Sequence, residues 1–251
     1  MGLSYWQLIS GDDIPIEGIG TVVPPHLRDL RNSTGIGYQK YLEYISVFVF
    51  NIREQALDNP EIQERCVNMD AALKRDFTTF DFYIINDVLT AQLETALSFF
   101  IKEKIVFAEE TEEFLVYNKS GEQVGSISYR NYTQLSEIIC EVCNISIERE
   151  EVPKNKSDFY MALWMKRRAG RKAMRKTADK NFTIENIVSA LSARHPSLNI
   201  LNIWDLTVCQ LYDQFQHIST NEVSDRLRLR WAAWGKDDFE HDKLWYLPNK
   251  S

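Results

Sequence analysis

The cysteines are the first candidates for chemistry in this chain. Cys140 and Cys143 form a CxxC pair, but a structural zinc site needs four ligands, usually two such local pairs. The sequence contains no second CxxC and no HxxxH, and Cys66 and Cys209 stand alone. A lone pair is more typical of two small, half-buried thiols on a helix than of a metal or redox centre. We therefore expect no metal and no cofactor.

Catalytic patterns are also missing from the sequence. The four histidines are scattered, at positions 26, 195, 217 and 241, and none belongs to HExxH or accompanies a GxSxG serine. There is no Walker motif, and Gly35-Ile36-Gly37 lacks the third glycine of a dinucleotide-binding loop. The pairs Asp12-Asp13 and Asp237-Asp238 are typical of solvated turns. The sequence predicts a protein that is not an enzyme and has no catalytic residues.

The strongest local signal is a basic run in residues 166–180. On a helix its cations align in two adjacent rows, which give a broad positive face. This face can bind nucleic-acid phosphate, an acidic protein or a sister subunit, or it can simply be solvated. Gly170, the lack of aromatic residues in the run and a net charge of −7 favour protein contact or a solvated face over nucleic acid.

Aromatic residues make up 12% of the chain, and they are enriched in cores and interfaces. A stripe of them at helical spacing is most often core, but several tryptophans lie near charged or terminal segments. The predicted partner-binding residues combine these tryptophans with the basic face: Trp164, Arg167, Arg168, Arg171, Lys172, Arg175, Trp231 and Trp234.

Composition excludes several broad classes. With 44% hydrophobic and 26% charged residues, the chain is typical of globular proteins. The acidic balance argues against general binding of nucleic acid or of an anionic membrane. No apolar run approaches the roughly 20 residues that span a bilayer, and the N-terminus lacks the pattern of a signal peptide. Only four cysteines indicate reduced thiols in a cytosolic compartment.

The apolar periodicity predicts the elements of the first half. Residues 1–34 resemble an extended arm with a small hairpin, in which residues 14–16 and 21–23 flank a glycine turn. Long helices are predicted over residues 35–58, 61–77 and 78–105. Residues 109–113 form an acidic linker, and residues 114–117 and 123–129 are predicted to be a hairpin that packs on a helix or pairs with the arm.

Helices dominate the predicted second half. One follows a cap at Asn131 or Thr133, and a basic helix runs from about residue 157 to about residue 180. Another begins at Thr183 with a stripe of four aliphatic residues and ends at His195-Pro196. A helix capped by Asn202 is predicted over residues 201–218. Ser219 and Glu222 predict a new capping box, followed by Val223, Leu227, Trp231 and Trp234 on one face and Gly235 at the end.

The predicted fold is therefore mainly α, a helical bundle with a small β-hairpin insertion. Three domains are predicted: residues 1–108 as an N-terminal arm and helical domain, residues 109–147 as the hairpin with a helix, and residues 148–251 as the basic helix with a C-terminal helical bundle. The charged segment 148–157 is the best candidate for a hinge.

Several segments also carry a resemblance to a known family. They are residues 24–30, the Tyr38/Tyr41/Leu42 pattern, the hairpin FLVYNKSGEQVGSISYRNY, residues 198–207 and residues 212–215. Together with the basic helix they resemble uncharacterised proteins from the tail-morphogenesis region of phages and prophages of Gram-positive bacteria. Several of these are thought to be tail assembly chaperones. The likeness is one of order and pattern from residue 14 to residue 245.

The resemblance implies a non-enzymatic late protein of the host cytoplasm. Such chaperones bind the phage tape measure protein and deliver tail tube subunits to it. A homo-oligomer is also kept open, and no membrane contact is implied. Many tail chaperones are shorter and lack a marked basic helix, which leaves open a structural component of the phage tail or neck. A third alternative is a nucleic-acid-binding regulator that uses the basic helix 166–180.

Overall fold

A computed structural model describes residues 2–147, 157–176 and 182–235 of the chain. The chain divides into two compact units, Met1–Ile147 with Leu201–Ser251 and Glu148–Ile200. The predicted class, mainly α with a minor β part, is confirmed, and helices account for 59% of the structure. The packing of these helices as a bundle and the three predicted domains stay predictions.

The described residues of the larger unit include eight α-helices. In chain order they are α1 (Tyr5–Ser10), α2 (Tyr38–Val49), α3 (Ile52–Ala56), α4 (Pro60–Leu73), α5 (Thr79–Ile84), α6 (Asp87–Phe100), α7 (Tyr132–Val142) and, last in the chain, α10 (Val208–Trp234). The smaller unit contains α8 (Asp158–Lys176) and α9 (Ile184–Arg194). Short 3₁₀ turns precede α2, at Leu27–Leu30, and α10, at Ile203–Asp205.

Two small antiparallel sheets lie in the described residues of the larger unit. The predicted N-terminal hairpin is confirmed as β1 (Ile14–Ile16) paired with β2 (Gly20–Val22), with Gly18 in the turn at φ +74°. The predicted second hairpin is confirmed as β4 (Glu113–Tyr117) and β5 (Gln123–Ile127). A further strand, β3 (Lys104–Ala108), pairs with β4, so the sheet has the order β3-β4-β5.

Aromatic side chains join the helices of the larger unit to this sheet. Phe48 of α2 meets Phe100 of α6 edge to face, with ring centroids 5.4 Å apart. Phe80 of α5 lies 6.0 Å from Phe114 of β4 and 5.7 Å from Tyr132 of α7. All five rings are buried, and such pairs add to the free energy gained by apolar burial. The core therefore lies where four helices meet the inner face of the sheet.

Two of the predicted long helices are wrong because asparagine side chains interrupt them. The helix predicted over residues 35–58 breaks at Phe50, and the Asn51 side chain accepts hydrogen bonds from Arg53 and Glu54 at the start of α3. The helix predicted over residues 78–105 breaks before α6, where the Asn86 side chain accepts from Val88. Each asparagine supplies a local cap that competes with a continuous helix.

The start of the C-terminal helix also differs from the prediction. Asn202 makes no side-chain capping bond, and α10 begins six residues later, where Thr207 and Gln210 form a capping box. Leu201, expected on the buried stripe, is 85% exposed. The second capping box predicted at Ser219 is wrong as well, because α10 continues to Trp234. Its end at Gly235, in the left-handed region at φ +58°, is confirmed.

The N-terminal arm is partly helical, which the sequence prediction missed. Ser4 and Gln7 form the capping box of α1. The Tyr5 hydroxyl donates to the Asp213 carboxylate at 2.7 Å, and the Gln210 amide donates to the Ile9 carbonyl at 2.9 Å. Hydrogen bonds therefore tie α1 to the first turns of α10.

Helix α9 of the smaller unit follows the sequence prediction, whereas the predicted hinge 148–157 and the predicted end of the basic helix near residue 180 lie largely outside the described residues. Thr183 caps α9 by accepting from Asn186, and the helix ends before His195. The four aliphatic residues of the predicted stripe are all buried: Ile184, Ile187, Val188 and Leu191.

Candidate partner-binding surfaces

The CxxC cysteines lie at the end of α7, inside the larger unit. Cys140 and Cys143 are both buried, and burial raises the pKa of the Cys143 thiol well above its usual range. Cys209 of α10 is near enough to raise it further, and burial raises the pKa of Cys209 itself to about 11. Protonated thiols of this kind are poor nucleophiles and poor metal ligands. No group of three or more metal-binding side chains occurs in residues 2–147, 157–176 and 182–235.

The two arginines at the start of the predicted basic face differ in exposure. Arg167 is exposed on α8, whereas Arg168 is only 5% exposed. The Arg168 guanidinium lies 5.7 Å from the ring centroid of the half-buried Trp164, one helical turn before it. This is a cation–π contact. Arg168 therefore packs against Trp164 and is not part of the exposed basic face. Arg171, Lys172 and Arg175 lie on the helical backbone of α8, and their side chains lie outside the described residues.

The N-terminal half of α8 carries an exposed apolar surface that the sequence prediction did not include. Phe159 is 73% exposed and meets Tyr160 edge to face, with ring centroids 5.7 Å apart. Leu163 and Met165 are exposed as well. The signal was present in the sequence as the apolar segment FYMALWM, directly before the basic run. This helix therefore offers apolar and basic side chains to solvent within three turns.

The C-terminal half of α10 exposes the other predicted residues. Trp231 and Trp234 are both exposed, Trp234 by 71%. With Val223 and Leu227 they follow steps of four, four and three, which places all four on one face of the helix, and all four are exposed. Every residue from Asp225 to Trp234 is exposed.

Ion pairs accompany this apolar face. Arg226 lies 3.6 Å from Glu222, and Arg228 lies 3.6 Å from Asp225, each across one turn of α10. Such pairs support a solvated helix by a few tenths of a kcal/mol each. The Gly235 amide donates to the Trp231 carbonyl at 2.7 Å and closes the helix end. The exposed half is thus a regular, capped helix whose apolar side faces solvent.

Helices α8 and α10 both carry exposed apolar side chains of the kind that a helical partner can contact. Large exposed apolar groups on a regular helix mark protein contact sites more often than ordinary surface, and an amphipathic partner helix uses such faces at helical spacing. Tryptophan and arginine, which both helices carry, are the residues most enriched among strong interface contacts. The faces of α8 and α10 belong to different units, and each is a candidate surface by itself.

A groove of about 580 Å³ with a mixed polar and apolar lining opens beside the start of β3. Lys102, Lys104, Lys119 and Glu103 contribute to its wall. Lys102 forms an ion pair with Asp13, and the Glu103 carboxylate accepts a hydrogen bond of 2.8 Å from the Thr21 amide. Both of these groups hold the β1–β2 hairpin against the segment before β3.

None of the described helices is both long enough and apolar enough to cross a membrane.

Comparison with known proteins finds a family that resembles part of the chain. The family model described as YomV second domain matches residues 175–246, which include α9 and α10 and therefore Trp231 and Trp234. No curated protein and no solved structure matches the chain. The match covers less than a third of the chain and is a likeness to a phage-associated family, which suggests a phage protein.

Proposed function

We propose that this chain is a tail assembly chaperone of a phage, which binds helical segments of the tape measure protein or tail tube subunits in the host cytoplasm. The observation that carries the proposal is the exposed apolar face of α10, formed by Val223, Leu227, Trp231 and Trp234. It lies in the segment that resembles the phage-associated YomV second domain.

A long helical partner fits this surface in both chemistry and shape. Helices bind one another when apolar side chains at steps of three and four meet in the same register. The face of α10 keeps this spacing over residues 223–234, and the flanking Arg226 and Arg228 keep the helix solvated before a partner arrives. A chaperone needs no catalytic group for this task, because it only has to cover apolar surface until assembly.

Co-expression with the tape measure protein tests the proposal. The wild-type chain should co-purify with it, and Trp234→Glu should weaken the complex by roughly thirtyfold, as for a strong interface residue of about 2 kcal/mol. Trp6→Glu is a matched control, because Trp6 is also a highly exposed tryptophan on a helix, at 77%, but lies on α1. A chain that does not associate with the tape measure protein or with tube subunits would contradict the proposal.

Mass spectrometry of purified virions separates a chaperone from a structural component of the tail or neck. A chaperone is released before the particle is complete, so its peptides should be absent. Their presence at a fixed ratio to the tail tube protein would show a structural component instead. Nucleic-acid binding through α8 would appear as an affinity that falls steeply with salt concentration.

A further inference from the structure

Within the described residues, the three-stranded sheet has one edge that another segment covers and one edge that no strand pairs with. At β5 the Ser126 amide donates to the Gly18 carbonyl at 3.0 Å. A Cβ atom at Gly125 would lie 2.6 Å from the same carbonyl oxygen, so glycine permits this close approach. The turn of the β1–β2 hairpin therefore covers the outer edge of β5.

The opposite edge is formed by β3, which follows from the strand order β3-β4-β5. In the described part of the chain, no strand pairs with the outer side of β3. Ile105 is buried and Phe107 lies 4.9 Å from Phe114, so these two side chains face the core. Lys104 and Val106 are exposed on the other face. An edge of this kind presents backbone N–H and C=O groups that can pair with another strand.

The charges around β3 have opposite signs at its two ends. Lys104 begins the strand, and Glu109 and Glu110 follow its last residue; all three side chains are exposed. When two such strands run antiparallel, the basic end of one lies beside the acidic end of the other. Parallel pairing would instead place like charges together, and like charges on adjacent strands are destabilising.

We propose that β3 pairs antiparallel with β3 of a second copy of this chain, which gives a six-stranded sheet across a two-fold axis. With Phe107 on the axis, Val106 lies opposite Ala108 of the other copy, and Lys104 lies beside the turn residues Glu109 and Glu110 that follow the other copy's β3. Residues that are an even number apart keep the same face, so both apolar faces stay on the core side. The two-fold symmetry forms each favourable pair two times in the dimer.

The contact is small, so the dimer is concentration-dependent. β3 has five residues, and pairing at this edge covers much less than the roughly 1,600 Å² of a standard interface. The backbone hydrogen bonds contribute most of the affinity, and the terminal charges select the second copy and its direction. This inference does not rest on the proposed chaperone function, because it uses a different surface.

Sedimentation velocity of the purified full chain over a range of concentrations tests the proposal. The wild-type chain should shift from monomer towards dimer as concentration rises. Lys104→Glu places a carboxylate beside Glu109 and Glu110 of the other copy and should raise the dimer dissociation constant by about tenfold or more. Lys40→Glu is the matched control, because it makes the same charge change at an exposed lysine on α2, outside the sheet, and should leave dimerisation unchanged.

Exchanging the charges at the two ends of β3 tests both the antiparallel direction of pairing and the identity of the partner. The triple variant Lys104→Glu, Glu109→Lys, Glu110→Lys should dimerise again, because each copy regains opposite charges at the antiparallel ends. The same triple variant should mix poorly with the wild-type chain, since the carboxylate introduced at position 104 would then meet Glu110 of the wild-type copy. Circular dichroism of each variant shows whether the fold is kept.

Three outcomes would overturn the proposal. They are a wild-type chain that is monomeric at every concentration, a dimer that Lys104→Glu leaves unchanged, and a folded triple variant that does not recover dimerisation. Loss of the dimer in Trp234→Glu without any loss in Lys104→Glu would assign self-association to α10 instead.

Discussion

Helices α7 and α10 use the same kind of apolar pattern in opposite ways. α7 buries seven of its residues, including Leu135 and Ile139, which are fully buried. The C-terminal half of α10 has apolar residues at comparable spacing, yet Leu227, Leu229 and Trp234 are all exposed. Periodicity identifies which face of a helix is apolar. It does not identify what covers that face.

The same contrast exists within α10 itself. Its first turns contribute Val208, Cys209 and Leu211 to the core of the larger unit. Beyond Ser224 every residue to the end of the helix is exposed. One continuous helix therefore connects a packed region with a solvated one, and its outer half is regular because its start is fixed by packing.

The largest expected effect is the loss of a core leucine in α7. Leu135→Ala should lower the free energy of unfolding by about 3–5 kcal/mol, because Leu135 is fully buried and its truncation leaves a cavity. Leu229→Ala on the outer half of α10 should change it by less than about 0.5 kcal/mol. Urea denaturation of both variants measures the difference. A loss above about 2 kcal/mol for Leu229→Ala would show that the outer half is covered in the isolated chain.

Charged groups extend the contrast between buried and solvated regions. Asp81 is only 5% exposed and receives two hydrogen bonds of 2.7 Å from the Arg75 guanidinium, which also lies 3.7 Å from the Tyr129 ring. Burial alone would raise the pKa of Asp81, but the bonds from Arg75 and Thr78 outweigh burial and lower it. The ionised carboxylate is therefore the form that the fold stabilises.

Asp81→Asn should lower the free energy of unfolding by about 2–3 kcal/mol at pH 7, because Arg75 loses its counter-charge. A carboxyl whose pKa is lowered on folding stabilises the protein above its unfolded pKa of about 3.9 and loses this effect as pH falls through the folded value. The gap between wild type and Asp81→Asn should therefore shrink below about pH 4.

Urea denaturation between pH 7 and pH 3 measures this gap. Asp225→Asn is the solvated counterpart, because Asp225 pairs with Arg228 while both side chains are largely exposed. It should change the free energy of unfolding by less than about 0.5 kcal/mol. A gap for Asp81→Asn that stays constant over the whole pH range would contradict the assigned role of the carboxylate.

The sequence predicted the elements well where one physical signal acts alone. α9 has its cap, its four-residue stripe and its end as expected. The predictions failed at Asn51 and Asn86, where the apolar stripe continues on both sides of a side-chain cap. The predictions also failed at β3. Residues 104–108 form a strand because they pair with β4 across a turn, and the apolar periodicity of five residues cannot reveal such pairing.

The candidate surfaces were predictable in part. Spacing placed Trp231 and Trp234 on one face, and only the structure shows that this face is exposed. The basic pattern alone places Arg168 on the outer face, although Trp164 four residues before it is a helical neighbour and a good cation–π partner. The open edge of β3 was not foreseen, because an edge exists only relative to the strands around it.

The smallest expected effect concerns the point where the packed half of α10 begins. Thr207 is fully buried, and its hydroxyl accepts a hydrogen bond from the backbone N–H of Gln210. The side-chain oxygen of Gln210 in turn accepts one from the backbone N–H of Thr207. Thr207→Ala should lower the free energy of unfolding by about 1 kcal/mol. Thr207→Ser keeps the capping hydroxyl and should lose only a small part of this stability. Since the outer half is stabilised through this start, hydrogen exchange in Thr207→Ala should quicken along the whole helix. Faster exchange confined to the first turn would mean that the outer half of α10 holds its structure independently of the core.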